Sequence, residues 1–261
     1  MTLHLLEAGS GRPIVLVHGW PTNSTAWRSQ LAALSGRHHV LAVDLPGFGS
    51  SPPLARPTMA TLAASVRDLL DERQLEDVLL IGWSMGGCVT FDYLRQFGSH
   101  RLRAIGIVDV SPCLLPRPGW AHGEGTPFDA AGLAAWSAPW ANDPEAVVRD
   151  VYTIGLADPE RHAAELEWLV QESLRADHAT AMLALLDAFE QDYRPLLATI
   201  DVPVLLAYGA HSTSSTPYLR AYLEQTIPRA RLEVFADSGH CLMIEEEERF
   251  NRVVGEFADE T

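Results

Sequence analysis

The sequence predicts an α/β protein, a doubly wound and mostly parallel sheet with a helical segment inserted between two of its strands. Three observations carry this. Short apolar runs, too brief for helices, alternate with longer stretches whose apolar residues recur at helical spacing. That is the pattern of parallel strands covered by helices on both faces. The run Val78-Leu79-Leu80-Ile81 meets a Gly-x-Ser-x-Gly turn at Gly82–Gly86 and continues as a helical pattern, so one strand–turn–helix unit is explicit. Finally, residues 113–195 break the alternation with a loop followed by helical stretches that no strand interrupts.

The elements follow in order. Residues 3–8 read as a first strand, which Gly9-Ser10-Gly11 turns into a second at 14–17, ending in His18-Gly19-Trp20-Pro21. Residues 25–34 have helical spacing through Trp27, Leu31 and Leu34. A third strand at 40–43 runs into the breaker-rich Asp44-Leu45-Pro46-Gly47-Phe48-Gly49-Ser50-Ser51. A helix at 58–74 puts Leu62, Val66, Leu69 and Leu70 on one face. The strand to Ser84 comes next, then its helix to about Phe97 and a strand at 104–108 closed by Asp109.

Residues 113–128 read as a loop, followed by helices at 132–141, 144–156, 159–176 and 179–192. Alternation then resumes, with a strand at 202–208, a helix at 218–226, a last strand at 232–235 and a closing helix at 244–257. The acidic run Glu245–Glu248 is expected to be the solvated first turn of that helix, favoured by its dipole. Residues 1–112 and 196–261 are therefore expected to form the core, and 113–195 a helical cap. Ligands of such a sheet bind beyond the C-terminal ends of its strands.

Composition sets limits. With 261 residues, 47% of them hydrophobic, the chain can bury one large core, or a core and a small accessory lobe. A net charge of −15 and no basic cluster argue against nucleic acid as a partner. No run is long enough to span a membrane, and the first residues lack the charged lead and apolar stretch of a signal peptide. Three scattered cysteines, Cys88, Cys113 and Cys241, suit neither a disulfide framework nor a metal cluster. They read as small buried hydrophobes in a reducing compartment, so a cytoplasmic location is expected.

Chemistry concentrates at the strand ends. Ser84 sits where a strained turn pushes a side chain out above the sheet and glycine leaves room for the neighbouring backbone. The helix that follows aims N–H groups and the positive end of its dipole at charge forming there. A serine hydroxyl needs a base to remove its proton, and histidine titrates in the right range. Most of the ten histidines read as ordinary loop or core residues, whereas His240 follows Ser238-Gly239 at the last strand end. Asp109 ends the strand after the nucleophile, where it could equally cap a loop before Ser111-Pro112. The order Ser84, Asp109, His240 is that of a hydrolase triad.

These motifs together resemble the α/β-hydrolase superfamily over nearly the whole chain, in the branch of small cofactor-free esterases and non-haem chloroperoxidases. His18-Gly19-Trp20-Pro21 is similar to its oxyanion loop, Asp44–Ser51 to its Asp-x-x-Gly-x-Gly-x-Ser segment, and Ser238-Gly239-His240 to its histidine loop. The resemblance implies backbone N–H groups of Trp20 and Met85 as oxyanion donors, and loop-fixing work for His18 and Asp44. It also exposes a departure. The family's usual acid stands three residues after the glycine that ends the next-to-last strand, and here Gly209 places Ser212 there. Some members carry the acid one strand earlier, and here that position is Asp109.

The expected function is hydrolysis of a small apolar carboxylic ester or lactone through an acyl-enzyme on Ser84, with neither metal nor organic cofactor. Trp20 and Trp83, flanking the oxyanion loop and the elbow, are expected at the substrate. A carbon–carbon bond hydrolase would use the same triad. A binding scaffold without turnover is the alternative that Ser212 motivates. Epoxide hydrolases and dehalogenases share His-Gly-Trp-Pro but use an aspartate nucleophile, which Ser84 is not. The sequence is silent on oligomeric state.

Overall fold

The computed structural model describes residues 2–120 and 129–261. Among the described residues seven strands form one sheet: β1 (Leu5–Ala8), β2 (Pro13–Val17), β3 (His39–Val43), β4 (Val78–Trp83), β5 (Leu102–Val108), β6 (Val204–Gly209) and β7 (Ala230–Phe235). Their spatial order is β1-β3-β2-β4-β5-β6-β7. Among these strands only β1 runs antiparallel, against β3. Every residue of β2, β4, β5 and β6 is buried, which is why these strands are mostly apolar rather than alternating, with Arg103 of β5 the one charged residue among them.

Helices cover the sheet. α1 (Arg28–Leu34) packs on α11 (Glu247–Glu260), and α2 (Met59–Glu72) packs on α3 (Met85–Phe97). Thr58 caps α2 through a reciprocal pair with Thr61. Between β5 and β6 the described chain carries α4 (Ala130–Ser137), α5 (Pro144–Gly155), α6 (Ala163–Ser173), α7 (His178–Glu190) and the short α8 (Arg194–Leu197). Asp143 and Asp177 cap α5 and α7 by accepting N–H groups of the first turn. Between β6 and β7 runs α9 (Pro217–Thr226), and α10 (Leu242–Glu245) precedes α11. Among the described residues no helix is long and apolar enough to cross a membrane.

Several boundaries differ from expectation, each for a local reason. The first helix begins as a 3-10 turn, Ser24–Trp27, because the Asn23 side chain already accepts the Thr25 N–H. α6 starts at Ala163 rather than 159, since the Asp158 carboxylate takes the Arg161 N–H in a preceding turn. The closing helix is broken at Glu246, with φ −119° and ψ 51°. Of the loop expected at 113–128, residues 121–128 lie outside the described residues.

Register sets the site. Val17 pairs with Gly82, Trp83 with Val108, and Val108 with Ala207. The loops after β2, β4, β5 and β6 therefore leave the sheet along one edge, and β7 ends beside β6 with Phe235 opposite Gly209.

Candidate active site

Within residues 78–94 Ser84 is the single residue that is not buried. It joins β4 to α3 with φ +54° and ψ −119°, a conformation that costs a non-glycine residue about 1–3 kcal/mol. The Ser84 N–H donates to the Val108 carbonyl at 2.9 Å, and the Ser84 carbonyl accepts the Gly87 N–H at 2.8 Å. The turn has no spare room. A Cβ on Gly82 would lie 2.1 Å from the Gly86 oxygen, and one on Gly86 would lie 2.4 Å from the Val17 oxygen.

His240 lies beyond β7, and its Nδ1 is 2.6 Å from Asp109 Oδ2. Asp109 is fully buried and has φ +48°, so the end of β5 is bent to aim this carboxylate. Oδ2 also accepts the Ser212 hydroxyl. The His240 N–H donates to the Gly155 carbonyl at 2.6 Å, and the His240 carbonyl accepts the Trp83 indole N–H at 2.9 Å.

Two carboxylates missed at the sequence level hold the loop before His240. Glu245 accepts the Gly239 N–H at 2.9 Å with one oxygen and the Ala157 N–H at 2.7 Å with the other. Burial pushes its pKa up, against the pull of those two N–H groups. Glu246 accepts the Asp237 N–H at 3.0 Å and the Ser238 hydroxyl at 2.7 Å. Glu245 and Glu246 are thus not part of a solvated helical turn. Their side chains reach back to the histidine loop, and the helix breaks where they do so. Only Glu247 and Glu248 are exposed as expected.

The loop after β2 lies against the elbow, where a Cβ on Gly19 would come within 3.0 Å of Ser84 Cβ. Trp20 follows, its indole N–H donating to the Ala181 carbonyl at 2.9 Å and its ring 4.9 Å from that of Trp140. Met85 is the first residue of α3, so its N–H is one of those a helix leaves without an internal partner.

Behind this loop His18 is fully buried, with Nδ1 2.8 Å from the Gly19 carbonyl and Nε2 receiving the Leu45 N–H at 3.0 Å. Those partners require a neutral ring protonated on Nδ1, and burial lowers its pKa accordingly. Asp44 accepts the Ser24 N–H at 2.7 Å and the Ser50 N–H at 2.8 Å. Burial works to raise its pKa, but these hydrogen bonds prevail and hold it below the ordinary value.

A cavity of about 200 Å³ has Ser84 and His240 in its wall. Trp20, Trp136, Val151, Ile154, Leu185 and Phe189 make it apolar, and Thr213 and Ser214 add hydroxyl groups. Five of those six apolar residues, all but Trp20, come from the segment inserted between β5 and β6. Its described wall carries no Lys, Arg, Asp or Glu. Trp20 lies in this wall. Trp83 does not. It is 1% exposed and packs beside the His240 ring, with centroids 5.5 Å apart, so its side chain supports the histidine instead of facing the cavity. An open groove of about 660 Å³ flanked by Arg56, Leu133, Leu183 and Asp187 has, among its described residues, none shared with this wall and no histidine. Among the described residues no three metal-ligating side chains gather.

The alpha/beta hydrolase fold family model matches residues 12–247. The chain belongs to that family. It is 28% identical to the pimeloyl-[acyl-carrier protein] methyl ester esterase of Nitrosomonas europaea, over 95% of this chain and 96% of that protein. Identity is 29% with the non-heme chloroperoxidase CPO-A1 of Kitasatospora aureofaciens, over 95% of this chain and 93% of the other. The esterase of Exiguobacterium antarcticum has the same fold, with a TM-score of 0.92 at 23% identity, covering 98% of this chain and 95% of that one. Esterases among its relatives support a hydrolase.

Proposed function

We propose that the protein is a serine hydrolase of neutral, apolar carboxylic esters or lactones, working through an acyl-enzyme on Ser84. The observation that carries this reading is one cavity whose wall holds Ser84, on its strained elbow, and His240, whose Nδ1 lies 2.6 Å from the Asp109 carboxylate.

His240 Nε2 takes the Ser84 proton as Oγ attacks the substrate carbonyl carbon. The carbonyl oxygen becomes an oxyanion and accepts the backbone N–H groups of Trp20 and Met85. The imidazolium gives its proton to the leaving alkoxide, the C–O bond breaks, and the acyl group remains on Ser84. Water then repeats the sequence, giving its proton to His240 and its oxygen to the acyl carbon, and Ser84 recovers the proton as the acid leaves. Asp109 stays ionised throughout, fixing the Nδ1 proton and stabilising the imidazolium. Residues 113–195 act as a cap whose described helices supply most of the apolar wall. The binding-scaffold reading rested on a missing acid. A carboxylate beside His240, coming from β5, supports the enzyme instead.

One assay tests both chemistry and specificity. Wild type should hydrolyse p-nitrophenyl butyrate, and Ser84→Ala should lower kcat/KM by about 10³-fold or more. A p-nitrophenyl ester ending in a free carboxylate should be poorer by about 100-fold, because the apolar wall leaves that charge unpaired. Turnover of the butyrate by Ser84→Ala within about tenfold of wild type would overturn the reading.

A further inference from the structure

The position at which the family pattern expects an acid is held by Ser212, on the turn that leaves β6. That turn is fastened on three sides. The Ala210 N–H donates to the Phe235 carbonyl at 2.8 Å, and the His211 N–H donates to the Ser238 carbonyl at 3.0 Å. The buried Arg220 guanidinium donates to the Gly209 carbonyl at 3.1 Å. Ser212, itself buried, is thereby held against the histidine loop.

Its hydroxyl has a defined direction. The oxygen accepts the Ser214 N–H at 3.0 Å. A hydroxyl has one hydrogen, and an ionised carboxylate only accepts, so that hydrogen goes to Asp109 Oδ2. The same oxygen receives His240 Nδ1. Among the described residues Oδ1 has no hydrogen-bond partner. Two donors therefore orient this carboxylate, and one of them is the imidazole it must hold.

The other polar groups nearby are engaged elsewhere. The Tyr208 hydroxyl donates to the Val110 carbonyl, Arg220 to Gly209, and Glu245 accepts two backbone N–H groups. Burial keeps the Cys241 thiol neutral.

We propose that Ser212 is a positioning residue for the reaction: its hydroxyl locks the Asp109 carboxylate toward His240 and draws off part of its negative charge. The inference rests on the reading of Asp109 as the acid of the triad. Two consequences separate it from a merely structural serine. Without the hydroxyl the carboxylate can rotate away from Nδ1, which slows the chemical steps and leaves substrate binding alone. When it does face Nδ1 its charge is less shared, so it stabilises the imidazolium more strongly and the histidine titrates at higher pH.

The test is the pH profile of p-nitrophenyl butyrate hydrolysis by Ser212→Ala, Ser212→Thr and Asp109→Asn, with melting temperatures measured alongside. Ser212→Ala should lose about 10- to 100-fold in kcat with KM within about twofold. Its acid limb of kcat/KM should move up by about half a pH unit or more. Ser212→Thr, which keeps the hydroxyl, should restore both. If Ser212→Ala shows no melting transition, Ser212→Cys, nearly isosteric but a poorer donor, should shift the limb in the same direction. An acid limb that stays in place in Ser212→Ala and Ser212→Cys, whatever happens to the melting temperature, overturns the role of Ser212. If Asp109→Asn has collapsed in the same experiment, the triad reading survives that failure. If Asp109→Asn is itself near wild type, the triad reading is what fails.

Discussion

Asp109 directly follows β5, one strand nearer the nucleophile than the turn at Ser212, and still meets His240. Adjacent strands are about 4.8 Å apart, a gap that a bent strand end and one carboxylate can bridge. The sequence pointed to Asp109 through what was missing, since no acid lies between Asp201 and Glu224. It had no signal for the bond between Ser212 and Asp109, which joins residues far apart in the chain. Nor could spacing tell that Trp83 turns under His240 while Trp20 faces the cavity, because each indole stands at or just past a strand end with equal claim to the site. Asp109→Asn should lower kcat by about 10³- to 10⁴-fold with the fold intact, as loss of the orienting carboxylate does in other triads. Adding Ser212→Asp to that variant should recover about tenfold or more, since position 212 already touches the place where the acid binds. An Asp109→Asn enzyme within about tenfold of wild type would show that the acid is another residue.

At the scale of elements, the loop after β3 braces the loop after β2. Asp44 gathers the N–H groups of Ser24 and Ser50 and the His4 ring, and His18 reaches Leu45. Asp44→Asn sets an amide N–H against one of those donors and should cost about 1–3 kcal/mol. In a chain of this length that is a fall in Tm of about 2–10 °C at pH 7. The sign of the pH dependence follows from the direction of the shift. The Asp44 pKa is lower folded than its ordinary 3.8, so its contribution is complete above that value and disappears as pH falls through the lowered one. The Tm gap between wild type and Asp44→Asn should therefore close in strongly acid solution. A gap that stays constant would mean that the ionised carboxylate is not what braces the loop. Most elements were legible because apolar spacing registers which face is buried. The break at Glu246 was not, because Glu245 and Glu246 leave the helical pattern for backbone N–H groups on another loop, and spacing carries no record of such partners.

Across the whole molecule, the alternation of strands and helices made a mostly parallel sheet legible, and register carries Ser84, Asp109 and the loops after β2 and β6 to one edge. The inserted segment was legible as helices without strands. Its part in the cavity was not, since Val151, Leu185 and Phe189 look in sequence like any core-facing helical positions. The division of labour proposed above, a rigid sheet edge for the chemistry and inserted helices for the apolar wall, depends on covalent capture of substrate by Ser84. The most direct measurement is peptide mass spectrometry of the enzyme quenched in acid during turnover of p-nitrophenyl butyrate. A butyryl group should be found on the peptide containing Ser84 and be absent from Ser84→Ala. A butyryl group on a different residue, or steady turnover with no acylated peptide and no loss in Ser84→Ala, would contradict it.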